Sequence, residues 1–242
     1  LKFNAEESGL TWGALPILNN YKKTYIKLDG EYKYTVNYQK TSLVMRGFVG
    51  VGIPIFKDSS LPFFKQFFGG GSYSMRGWPL RGIGVGGQSL PPYQANFFND
   101  RTADIQIEMN AEYRYVIAHI IPNLLTLRGA VFADIGNIWS FKNLSPAGQP
   151  DSAQFKFDKL YEQIGLSLGT GFRLDFNYVV LRFDMGFRFK RPETSYVNDG
   201  WKAPDIGIGE IFKKLFTRGP NDVYRIWRYE NYNFTIGISY PF

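Results

Sequence analysis

The sequence predicts an all-β fold, a transmembrane antiparallel β-barrel, on three observations. Segment after segment alternates with period two, setting an apolar, aromatic face against a face with charges of both signs. Aromatic residues gather at the segment ends, as at Tyr113/Tyr115, Phe187/Phe189 and Tyr240/Phe242, where a membrane barrel carries its interfacial girdles. Connections alternate strictly between short and long, the signature of short periplasmic turns and long external loops.

In chain order, Lys2 to Glu6 reads as a truncated strand. From Ile26 to Tyr38, Ile26, Leu28, Tyr32, Tyr34 and Val36 oppose Lys27, Asp29, Glu31, Lys33 and Thr35. A weaker copy runs from Ser42 to Ile53. Ile105, Ile107, Met109, Ala111 and Tyr113 oppose Gln106, Glu108, Asn110, Glu112 and Arg114, and another weak copy covers Leu125 to Ile135. Leu166 to Leu174 and Val179 to Phe189 repeat the pattern. The last segment sets Tyr232, Phe234, Ile236, Ile238, Tyr240 and Phe242 against Asn233, Thr235, Gly237 and Ser239. That makes about eight strands of roughly 9–12 residues, a length that suits a tilted bilayer crossing. A soluble sheet with one wet face also alternates, but it rarely carries mixed charges along one face of nearly every strand.

Short turns are expected around 39–41, 121–123 and 177–178, and long connections at about 9–23, 54–101, 140–161 and 190–231. No run reaches the ~18 apolar residues of a membrane helix, although Ile208 to Phe216 reads as a short amphipathic helix in the last long loop. The start, Leu1-Lys2-Phe3-Asn4, lacks a leader pattern and reads as the interior of a longer protein. The net charge is +7, yet the basic residues are dispersed singly, so no nucleic-acid partner is expected. Cysteine is absent, which excludes disulfides and thiolate metal sites. His119, the sole histidine, has no ligand set around it, so neither a metal nor a cofactor is expected. The letters of Gly82-x-Gly84-x-x-Gly87 match a dinucleotide fingerprint without any βαβ context.

The loop at about 54–101 is far longer than an ordinary connection of ~4–6 residues, and too rich in Phe, Trp, Tyr and Leu for a disordered one. Phe67, Phe68 and Trp78 are too apolar for water, so the loop is expected to fold back on the barrel interior. At its centre Gly69, Gly70 and Gly71 release the backbone from the usual φ limits, and Met75-Arg76-Gly77-Trp78 follows. From position alone, Arg76 is equally well one more solvated arginine.

Phe67 to Trp78 resembles the loop signature of the BamA/TamA outer-membrane insertase family, usually written (V/I)RG(F/Y), with Met75 and Trp78 as conservative departures. Leu127 to Trp139, Gly169 to Asp175 and the aromatic C-terminus are also similar, so the resemblance spans Ser42 to Phe242, closest in flavour to TamA-like members. It implies a sixteen-stranded barrel of a Gram-negative outer membrane, preceded by POTRA domains. This chain would then supply the C-terminal strands, and the N-terminal half of the same barrel would be its partner. An eight-stranded barrel closing alone is the alternative, but its lumen would be filled by side chains and could not admit the loop. By the same resemblance, Arg76 reaches into the lumen and pairs with Glu112 and Asp134. Strand parity agrees independently, because both acids lie on polar faces. The implied function is non-enzymatic insertion of nascent barrel clients among outer-membrane lipids, assisted by periplasmic or membrane accessory proteins. A lateral gate would be formed by the last strand, Tyr232 to Phe242, weakened at Gly237. The alternatives are a two-partner-type secretion pore and the membrane anchor of a patatin-like lipase.

Overall fold

The computed structural model describes residues 1–10, 23–55, 58–88, 101–143, 152–176, 178–192, 227 and 229–242. Eight strands form one sheet in chain order: β1 Lys2–Ser8, β2 Tyr25–Asn37, β3 Thr41–Pro54, β4 Ile105–Ile121, β5 Leu125–Trp139, β6 Gly165–Phe176, β7 Val180–Lys190 and β8 Tyr232–Ile238. Every neighbouring pair is antiparallel, and among the described residues no pairing joins β8 to β1. One α-helical turn, α1 (Leu160–Gln163), precedes β6 and buries Gln163, whose Oε1 accepts from Trp139 Nε1 at 2.8 Å. The amphipathic segment 208–216 lies outside the described residues.

The burial of the two faces inverts that of a soluble sheet. The polar face is covered: Glu108, Asn110, Glu112, Asp134, Arg173, Arg182 and Asp184 are all buried. The apolar face is bare, with Met109 and Ile236 each 64% exposed and Phe172 52% exposed. Water would penalise such a surface, whereas a lipid surround stabilises it. Antiparallel ladders between all neighbouring strands satisfy the backbone groups that face one another, as hydrocarbon requires.

Strands β2 to β5 outrun the expected 9–12 residues, reaching 17 in β4 and 15 in β5. The cause is that alternation fades toward Ile117–Ile121, while the hairpin ladder continues across two register shifts. Only the central part of such strands is needed to span hydrocarbon.

The last strand is shorter than expected. β8 stops at Ile238, Ser239 takes φ 70°, and Tyr240 and Phe242 leave the sheet. Pro241, having no N–H, could not continue the ladder. The tail turns onto the polar face, where Arg114 Cζ lies 4.4 Å from the Tyr240 ring centroid and Arg114 Nη2 donates to the Phe242 carbonyl at 3.4 Å. Tyr240 and Phe242 are therefore not girdle aromatics at a strand end.

The described part of the long loop lies on the polar face. Phe67 bridges to Ala103, and Met75, Trp78 and Ile83 form a buried apolar cluster. The loop approaches closely because the strands offer glycine beneath it. Phe67 occupies the space a side chain at Gly50 would take, and Leu61 does so at Gly52. Phe68 departs from expectation, being 39% exposed, with its ring under the Arg81 guanidinium at 4.8 Å.

Candidate functional site

Arg76 is fully buried, and the structure brings Glu112 of β4 and Asp134 of β5 to it. Nε and Nη2 donate to the two oxygens of Asp134 at 3.0 and 2.8 Å, the bidentate arrangement that a planar guanidinium favours. Nη1 donates to Glu112 Oε2. The Arg76 amide also donates to Asp134 Oδ2 at 3.0 Å, so one carboxylate fixes both side chain and backbone. Phe132 lies under the guanidinium, 3.6 Å from Cζ to the ring centroid.

The motif glycines hold this geometry. Gly70 and Gly71 have φ 95° and 85°, the left-handed region that favours glycine. A Cβ at Gly77 would stand 2.5 Å from Ser167 Cβ. Gly69 is buried beside Ile83, and Met75 and Trp78 flank the arginine in the loop core.

The charged cluster is wider than the three residues that the sequence singled out. Glu112 is shared with Arg114 Nε at 2.7 Å and with Arg173 Nη2 at 3.2 Å. Arg173 continues to Asp184 at 2.8 Å, and Arg182 meets the same carboxylate at 3.3 Å. On the other side, Asn110 donates to Asp134 Oδ1 at 3.0 Å and to the Ser74 carbonyl at 3.1 Å. Arg46 donates to Asn110, Glu108 and Glu31, and Ser74 Oγ donates to Glu108. The strand residues among these partners lie on polar faces as Glu112 does, a signal that was available, but parity alone does not say which of them the loop will meet.

The loop also holds the last strand. Asn233 Nδ2 donates to the Arg76 carbonyl at 2.8 Å, and Tyr73 Oη donates to the Ile238 carbonyl at 2.5 Å. Of the predicted gate residues, Tyr232, Phe234, Ile236 and Ile238 face outward and exposed. Gly237 faces inward, where a Cβ would stand 2.9 Å from Arg182 Nε. The Arg182 guanidinium fills the space beside it.

At the loop ends two aspartates anchor backbone. Asp58 accepts from Lys23 Nζ and the Thr24 amide, both at 2.8 Å, and from the Thr24 hydroxyl at 3.0 Å. Burial pushes its pKa up, but these donors outweigh it and hold it below the ordinary value. Asp104 accepts from the amides of Leu61 at 2.9 Å and Phe141 at 3.2 Å; burial dominates there and raises its pKa. Nothing in the local sequence marks either residue.

Comparison with known proteins gives a consistent picture. The family model described as "Omp85 superfamily domain" matches residues 9–240. Among solved structures, the crystal structure of BamA from Haemophilus ducreyi lacking POTRA domains 1–3 is similar, with a TM-score of 0.51 and 16% sequence identity. The match covers 73% of this chain and 33% of that one, so the chain spans about a third of that structure. At this identity the likeness is one of fold. No curated protein matches the chain.

Proposed function

The chain belongs to the Omp85 superfamily, and from that premise we propose that it is part of a non-enzymatic barrel that inserts proteins into the outer membrane. The sheet is then the C-terminal part of a larger barrel, with POTRA domains and the remaining strands supplied by the same protein. Its apolar face meets outer-membrane lipids, and its clients are nascent barrel proteins. Periplasmic or membrane accessory proteins would serve it as partners.

The observation that carries this reading is Arg76, held by Glu112 and Asp134 on the covered face of the sheet. Here a buried loop is tied to three strands at once, through Glu112, Asp134 and Asn233. Movement of any of these strands is thereby linked to the loop. An incoming strand carries unpaired backbone groups that lipid penalises, and an edge that opens can pair with them by β-augmentation.

The test is reconstitution of the full-length protein in phosphatidylcholine vesicles with an unfolded outer-membrane barrel added. Folding of that client should be faster than in empty vesicles, and Arg76→Ala should abolish the gain. Equal rates with and without the protein would overturn the reading. Steady export of a soluble partner, or hydrolysis of the lipid, would instead favour the secretion pore or the lipase anchor.

A further inference from the structure

The peptide joining Ile238 to Ser239 has two ends with different partners. Ser239 N–H donates to the Val180 carbonyl of β7 at 2.7 Å. In a trans peptide the C=O and N–H point in opposite directions, so the Ile238 carbonyl points away from β7, toward the outer edge of β8. That edge has no strand partner among the described residues. An acceptor there is where a pairing strand would place an N–H.

Tyr73 already occupies that acceptor. Its hydroxyl donates to the Ile238 carbonyl at 2.5 Å. Its ring lies 5.1 Å from Arg182 Cζ, and Arg182 lies in turn over Gly237. The side chain therefore runs across the covered face of β8 and ends at its outer edge. Tyr73 is three residues from Arg76, whose carbonyl accepts from Asn233 at 2.8 Å on the same strand. The loop grips β8 at Asn233 and at Ile238.

We infer that Tyr73 is an edge tether: it couples the Arg76 loop to the outer edge of β8, and a strand that pairs there must displace it. This inference rests on the reading that β8 is the opening strand of the barrel. Displacement would free the loop at one of these two attachments to β8, so strand pairing at the seam would be felt by the loop inside the barrel. The donor required of the displacing strand is a backbone N–H, and the strand that closes the same barrel against β8 supplies one.

The experiment is residue-resolved amide exchange of Gly237 and Ser239 in the full-length protein in detergent micelles, comparing wild type with Tyr73→Phe. The variant keeps the ring against Arg182 and removes only the hydroxyl. Loss of one neutral hydrogen bond should speed exchange at these two amides about 2–10-fold, with exchange in β4 and β5 unchanged. Unchanged or slower exchange at Gly237 and Ser239 overturns the tether. Acceleration spread equally through β4 and β5 also overturns it, because Tyr73 would then support the fold in general. Client insertion by the same variant reports separately on the opening-strand reading, so the tether and that reading fail on different measurements.

Discussion

The Arg76 carbonyl oxygen lies over Gly186 of β7, so close that a Cβ at Gly186 would stand 2.7 Å from it. The polar face thus reserves a place for backbone as well as for charge. Because the obstructing atom belongs to the main chain, no side-chain rotation can relieve the clash. Gly186→Ala is expected to destabilise the protein by about 1–3 kcal/mol, as overpacking does. The thermal unfolding midpoint of the full-length protein in micelles would fall, and an unchanged midpoint would show that the loop does not rest on β7.

Removing Arg76 leaves two carboxylates without their shared cation in a covered site. Arg76→Ala is expected to cost about 3–5 kcal/mol. Arg76→Lys should recover only part, because an ammonium cannot reproduce the fork on Asp134. Adding Asp134→Asn to Arg76→Ala should lessen the loss, since an amide needs no counter-charge, whereas Glu112 must stay charged for Arg114 and Arg173. Unfolding midpoints of the single and combined variants form a mutant cycle; strict additivity would dissolve the partnership.

Gly237 separates two views of β8. If it merely weakens the strand, Gly237→Val should stabilise the pairing of β7 with β8. If it makes room for Arg182, the same change should destabilise by about 1–3 kcal/mol, and Arg182→Ala should make it tolerable. Heat-induced unfolding of the two variants and their combination decides between them.

Asp58 makes the loop end acid-sensitive. Its pKa lies below the ordinary aspartate value in the folded protein, so its contribution is fully present above about pH 4. That contribution is lost as pH falls through the depressed value. Asp104 has the opposite sign: its raised pKa means that its share is largest below about pH 4 and declines as pH rises. Protease cleavage of the loop near 56–60 should therefore increase on acidification below pH 4 in wild type. Asp58→Asn, which cannot titrate, should flatten that dependence.

Strand existence and strand parity are local properties, and the sequence determined both. Alternation placed Glu112 and Asp134 on polar faces without any knowledge of the fold, because successive side chains of a strand must point to opposite sides. The motif around Arg76 identified the loop, and a loop so long and apolar had to cover something. Three things were decided only in three dimensions. Strand ends were one: β4 extends to Ile121 because β5 pairs with it there, and β8 stops at Ile238 although its alternation continues to Phe242. Pro241 carried that second signal, but only as a missing donor. The wider charge cluster was another: parity put Arg46, Arg173 and Asp184 on polar faces, but only the register between strands joins them to Glu108 and Glu112. The last was the grip of the loop on β8, where Tyr73 meets a carbonyl 165 residues away. Its direction follows from one peptide plane in the assembled sheet, and no property of Tyr73 or Ile238 alone encodes it.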